Sequence, residues 1–115
     1  MTSKSSSRHP DGVWIIDAQG HTLYANERMC EILAVQPTAI MGRDSFDFIF
    51  TDDIPAARKL FAQKQAGSSA PFRFKLRRDD GTCVWTDVQG TPMHNAAGAF
   101  IGIVGTFTVS PSQCE

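Results

Sequence analysis

The stretch FRFKLRRDDGTCVWTDV, Phe72 to Val88, decides how this chain folds. Phe72, Phe74 and Leu76 alternate with Arg73, Lys75 and Arg77. A half-buried strand has this period of two because successive side chains leave on opposite faces. Asp79-Asp80-Gly81 reads as a tight turn, since an Asp-Gly pair tolerates the positive φ that a hairpin needs. Beyond it Thr82, Val84, Thr86 and Val88 form a β-branched stripe opposed to Cys83, Trp85, Asp87 and Gln89. The run predicts a hairpin that forms one wall of a small cavity.

Composition sets what surrounds that hairpin. A chain of 115 residues, 42% hydrophobic with eight Phe and two Trp, has room for one domain with one core. The formal net charge is -1. Arg73, Lys75, Arg77 and Arg78 form the local basic group and read as the solvated face of a strand, so no nucleic-acid partner is implied. Cys30, Cys83 and Cys114 show neither a C-x-x-C pair nor a His at metal-ligand spacing. Neither a disulfide scaffold nor a metal site is expected, and a reducing, cytoplasmic compartment fits. No apolar run reaches the ~18 residues that cross a bilayer, so no membrane segment is expected. Met1 to Pro10 is too polar for the core of a signal peptide. Residues 1–11 read as a disordered leader or linker, 12–109 as the folded domain and 110–115 as a tail.

Within the domain, the apolar run Val13 to Ile16, a turn at Asp17 to Gly20 and His21 to Ala25 predict a first hairpin. Its first strand is apolar on both faces and belongs in the middle of a sheet. Asn26 has the chemistry of a helix N-cap, and Met29, Ile32 and Leu33 share one face of the helix it starts. Pro37 interrupts that helix, a brief turn covers Thr38 to Met41, and the aromatic cluster Phe46, Phe48, Ile49 and Phe50 reads as another single turn. Thr51 is expected to cap a longer helix to about Gln65, with Ile54, Ala57, Leu60, Phe61 and Lys64 on its 3.6 repeat. Pro92 to Gly98 reads as a turn-rich connection. In the last strand, Phe100 to Val109, the residues Phe100, Gly102, Val104, Thr106 and Thr108 fall on one face and Ile101, Ile103, Gly105, Phe107 and Val109 on the other. Neither face is polar, which again predicts a central position. The class is α+β.

This order of elements, with particular residues, resembles a PAS domain, the small sensor module of signalling proteins. Gly12 to Asp17 with Gly20 and Tyr24-Ala25-Asn26 resembles the opening hairpin and the Asn that begins the first helix. Ile40-Met41-Gly42-Arg43, Phe50 to Asp53, Asp79 to Trp85 and Phe100 to Thr106 resemble, in turn, the following loop, the start of the long helix, the Trp hairpin and the last strand. The resemblance covers residues 12–109. It implies a five-stranded antiparallel sheet of order 2-1-5-4-3 with helices on one face and an apolar pocket between the layers.

The resemblance also frames the cofactor question. Flavin-adduct members carry a reactive Cys after the loop, and Gly42 to Phe50 has none; haem-binding members use a His from the long helix, and Asp52 to Gln65 has none. Both cofactors are disfavoured, and none is evident. The pocket-facing set expected from the sheet is Phe72, Phe74, Leu76, Val84, Thr86, Val88, Val104 and Thr106, with Leu33, Ile40, Phe46, Ile49 and Leu60 opposite. It is either filled by its own side chains or takes a small apolar ligand, with Thr86 and Thr106 as polar contacts. Trp85, Ile101, Ile103 and Phe107 are expected on the outer face as homodimer contacts.

No catalytic constellation emerges, and the domain is read as a non-enzyme. The reading is a cytoplasmic sensor or interaction module of a larger signalling protein, a sensor histidine kinase or a related regulator with a flanking effector domain. Its rivals are a ligand-free dimerisation module and an enzyme of the ketosteroid-isomerase-like cone fold, which needs a buried carboxylate or Tyr. Many family members leave the last strand through an Asp-x-Thr motif; Thr108-Val109-Ser110-Pro111 stands in its place here.

Overall fold

A computed structural model describes residues 11–110. The leader and tail expected at 1–11 and 110–115 lie, apart from Asp11 and Ser110, outside the described residues. The order is β1 (Gly12–Asp17), β2 (Thr22–Ala25), α1 (Glu27–Leu33), α2 (Pro37–Ile40), single 3-10 turns at Ser45–Phe48 and Thr51–Asp53, α3 (Ile54–Gln65), β3 (Phe72–Arg77), β4 (Cys83–His94) and β5 (Phe100–Val109). The five strands form one antiparallel sheet of order β2-β1-β5-β4-β3. β1 and β5, each apolar on both faces, occupy its interior as expected.

Asn26 ties the first hairpin to the first helix. Its Oδ1 accepts from the amide of Met29 at 2.9 Å, capping α1, and from the amide of Val13 at 3.0 Å on β1. Its Nδ2 donates to the carbonyl of Asp11 at 3.1 Å. The far end of α1 is closed by the central hairpin. Arg78 Nε donates to the carbonyl of Ile32 at 3.1 Å and the amide of Asp79 to that of Leu33 at 2.8 Å. Two carbonyls that the helix leaves without intrahelical partners are thereby satisfied. Arg43 pairs with Asp79 at 3.2 Å and holds the following loop to the same turn.

The core gathers Trp14, Met29, Ile32, Leu33, Ile40, Phe48, Leu76 and Val84, all buried. Trp14 brings its own polar requirement into this core. Its indole N–H donates to Thr22 Oγ1 at 2.9 Å, so that both buried groups are satisfied.

Several boundaries differ from the sequence reading. α3 begins at Ile54, because Thr51–Asp53 winds as a 3-10 turn and no side chain caps the α-helix. β4 continues past Val88 to His94, with Pro92 opposite Ile103, where a turn-rich connection was expected. Cys83 is disulfide-bonded. Cys30 is free and buried.

The largest correction concerns β5. Met93 pairs with Gly102 but His94 with Phe100, so Ile101 is an extra residue, a β-bulge. Phe100 lies on the helix side, its ring 5.9 Å from that of Phe61. Beyond the bulge the alternation is inverted, and Ile103, Gly105 and Phe107 turn inward while Val104 and Thr106 turn outward. The bulge requires Gly102, which has φ of 157°. A Cβ there would collide with the carbonyl oxygen of Ile16.

The doubly shared Oδ1 of Asn26 sets a test. Asn26→Ala leaves two amides and one carbonyl without partners and is expected to cost about 2–4 kcal/mol in urea unfolding. Asn26→Asp, which keeps the acceptor, should cost less than half of that.

Candidate functional site

A cavity of about 120 Å³ lies between the sheet and the helical layer. Its floor is the inner face of the sheet: Trp14 and Ile16 from β1, Phe72, Phe74 and Leu76 from β3, Val88 and Gly90 from β4, and Ile103, Gly105 and Phe107 from β5. Its roof is Ser45, Phe46 and Ile49 with Ala57, Leu60, Phe61 and Lys64 of α3.

Two glycines account for the opening. Gly90 and Gly105 are directly paired across β4 and β5 on the inner face. Where paired side chains would rise toward α3, neither residue projects any. The Phe107 ring leans into the space, and a Cβ on Gly105 would lie 2.8 Å from it. Phe46 and Phe61, with ring centroids 6.2 Å apart, are edge-on to each other in the roof.

The wall is almost wholly apolar. Apart from the Trp14 indole, already bonded to Thr22, its polar side chains are Ser45 and Lys64. Lys64 is 4% exposed. Its ammonium donates to the carbonyl of Ala70 at 2.9 Å and stands 5.2 Å from the Phe72 ring centroid. Loss of hydration on burial lowers its pKa from the ordinary lysine value. Cys30 is raised instead, first by burial and then by Glu27, which suits a small apolar residue rather than a nucleophile.

Of the residues expected in the pocket, the structure brings together Phe46, Ile49, Leu60, Phe72, Phe74, Leu76 and Val88. Leu33, Ile40 and Val84 are buried in the core away from the cavity. Thr86 points inward and is fully buried, but its hydroxyl donates to the Phe74 carbonyl at 3.0 Å and does not reach the cavity wall. Val104 and Thr106 are on the other face for the parity reason given above. Thr106 lines an open outer groove with Arg73, Asp87 and Gln89.

The same inversion removes Ile103 and Phe107 from the expected outer-face set. Trp85 and Ile101 remain outside the pocket, and Ile101 is 43% exposed. They stand far apart. Met93, paired beside the bulge, is eight positions along β4 from Trp85, roughly 26 Å. The apolar band of the outer face runs instead through Tyr24, Ile15 and Val104, paired side by side across β2, β1 and β5.

Sequence reasoning missed Trp14, Ile16, Gly90, Gly105 and Lys64. One signal was available for the last: Lys64 sits on the apolar repeat of α3, where a charge has no solvent to face. No thiol or imidazole is among the residues that line this cavity.

The family model for the PAS fold matches residues 7–109. The chain belongs to the PAS family. Solved PAS domains share the fold at low identity. A domain from Colwellia psychrerythraea superposes with a TM-score of 0.80 at 13% identity, covering 87% of this chain and 86% of that one. A variant PAS-B domain of Drosophila melanogaster Cycle with bound glycerol gives 0.75 at 16%, covering 86% and 99%. The PAS domain of an HTR-like protein from Haloarcula marismortui gives 0.72 at 17%, covering 90% and 84%. At these identities the likeness establishes the fold alone. No curated protein matches the chain. As a PAS domain it has the fold of sensor and interaction modules, and among the described residues no helix is long and apolar enough to cross a membrane.

The corrected parity of β5 is testable by paired substitutions. Ile103→Asp places a carboxylate in the apolar wall and should lose about 3 kcal/mol or more in urea unfolding, whereas Ile101→Asp on the exposed bulge should stay within about 0.5 kcal/mol of wild type. Equal effects at the two positions would contradict the inverted register.

Proposed function

We propose that residues 12–109 form a sensing module of a larger cytoplasmic signalling protein, a sensor histidine kinase or a related regulator, and that the module has no catalytic activity of its own. The observation that carries this reading is the apolar cavity beneath α3. At about 120 Å³ it approaches the roughly 150 Å³ of an apolar cavity known to hold benzene, which a modest outward shift of α3 would match. It is well below the roughly 300–1,000 Å³ of drug-sized sites. The ligand is therefore small and largely apolar, and neither flavin nor haem is part of the proposal. Occupancy would favour the arrangement in which α3 and the β4–β5 floor are splayed to the ligand's width. A ligand shifts an equilibrium only by such differential affinity.

The module would pair with a second copy through the outer face of the sheet. The band of Tyr24, Ile15 and Val104 supports this, with Trp85 and Ile101 at opposite ends. Signal would pass to a flanking effector domain through that face.

Benzyl alcohol, a neutral compound of suitable size, tests the cavity. Saturable NMR shifts are expected at the amides of Phe74, Val88 and Gly90, and Ala57→Leu, which fills the cavity from α3, should abolish them. Unchanged spectra of the wild-type protein would overturn the ligand-binding reading. Sedimentation tests the pairing: Val104→Asp should convert a dimer to a monomer without loss of fold. A monomeric wild type, or a Val104→Asp variant that stays dimeric, would sink the outer-face interface.

A further inference from the structure

Lys64 is the one charged side chain in the cavity wall. It takes a position on α3 where the helical repeat faces the apolar layer, and only 4% of it is exposed. An ammonium carries three N–H donors. One reaches the Ala70 carbonyl at 2.9 Å, and the Phe72 ring lies 5.2 Å away. None of the ion pairs among the described residues includes it.

A buried charge without a counter-charge is costly, and an apolar residue of the same length would avoid the cost. The sheet opposite is shaped around this lysine. Gly90 faces it without a side chain, and a Cβ there would stand 3.2 Å from Lys64 Cε and 3.7 Å from Nζ. The end of Lys64 therefore occupies the space over Gly90 at the margin of the cavity, and two of its three donors have no partner among the described residues. Burial lowers the pKa of the ammonium, and an anion beside it offsets the cost of that desolvation and favours the charged form.

We propose that the cavity binds a compact carboxylic acid, its carboxylate paired with Lys64 Nζ and its hydrocarbon body against Leu60, Phe74, Val88 and Ile103. This rests on the cavity being a ligand site at all. A carboxylate is favoured over a phosphate because the wall offers a single cation, too few donors for a dianion. The volume, about 120 Å³, limits the body to a branched short chain or one aromatic ring.

Calorimetric titration of the intact chain with benzoate and with benzyl alcohol, its neutral analogue, tests this directly. The wild-type protein is expected to bind benzoate at least about tenfold more tightly, the effect of one charge-assisted hydrogen bond. Lys64→Met should lose that preference while binding benzyl alcohol as the wild type does, which shows that its cavity is intact. Gly90→Ala, which presses on the flexible end of Lys64, should weaken benzoate more than benzyl alcohol. Equal affinities on the wild type, or a benzoate preference that survives in Lys64→Met, would overturn the carboxylate assignment and leave a site for neutral ligands. Failure of both compounds to bind the wild type would overturn the ligand-binding reading and this inference with it.

Discussion

The pairing of Gly90 with Gly105 is the constraint on which the site depends. Protein interiors are filled to the density of organic crystals, and a sheet packed under a helix meets that density with the side chains of its inner face. Here the two central positions of the β4–β5 ladder supply none. Phe107 from one side and Lys64 from the other reach into the space, and neither fills it. The void follows from what the backbone omits rather than from any missing helix or distorted strand.

Such an opening is stable because the layers are held at their ends. Asn26 fastens the start of α1 to β1 and Asp11, and the turn of the β3–β4 hairpin fastens its end through Arg78 and Asp79. α3 has no side-chain cap at its start, where Asp53 instead pairs with Lys75 of β3 at 3.5 Å. Its hold on the sheet also runs through the Phe61 and Phe100 rings and through Lys64, whose bond to Ala70 ties the last turn of α3 to the segment entering β3.

Three aromatic rings in the helical layer are met by a cation. Arg43 lies 4.8 Å from the Phe48 ring centroid, Arg58 5.0 Å from that of Phe46, and Lys75 5.1 Å from that of Phe50. Long side chains cover apolar surface with their stems while their charges face outward, which allows the half-buried Phe46 and Phe50 rings to stand at the rim. Lys64 over Phe72 repeats the pairing with its charge buried. That difference separates a rim contact from a polar group belonging to the cavity.

The sequence by itself determined the two hairpins, the central places of β1 and β5 and the cap at Asn26, while its resemblance to the PAS family supplied the full strand order. Alternation, turn residues and capping chemistry are local, and the two faces of β1 and β5 are apolar over their whole length, which placed both strands centrally. It also supplied half of the pocket, because the β3–β4 hairpin alternates without interruption from Phe72 to Val88. Only the tertiary structure decided the rest. One extra residue at Ile101, opposite the Met93–His94 step, inverted every later side chain of β5. An apolar strand carries no polar face by which such a slip can be read from its sequence. The void beneath α3 was equally hidden, since it arises from two glycines 15 positions apart that become neighbours only when β4 and β5 pair. Lys64 stands on the apolar repeat of α3 in the linear chain, but only the folded protein sets its end against Gly90 and the Phe72 ring.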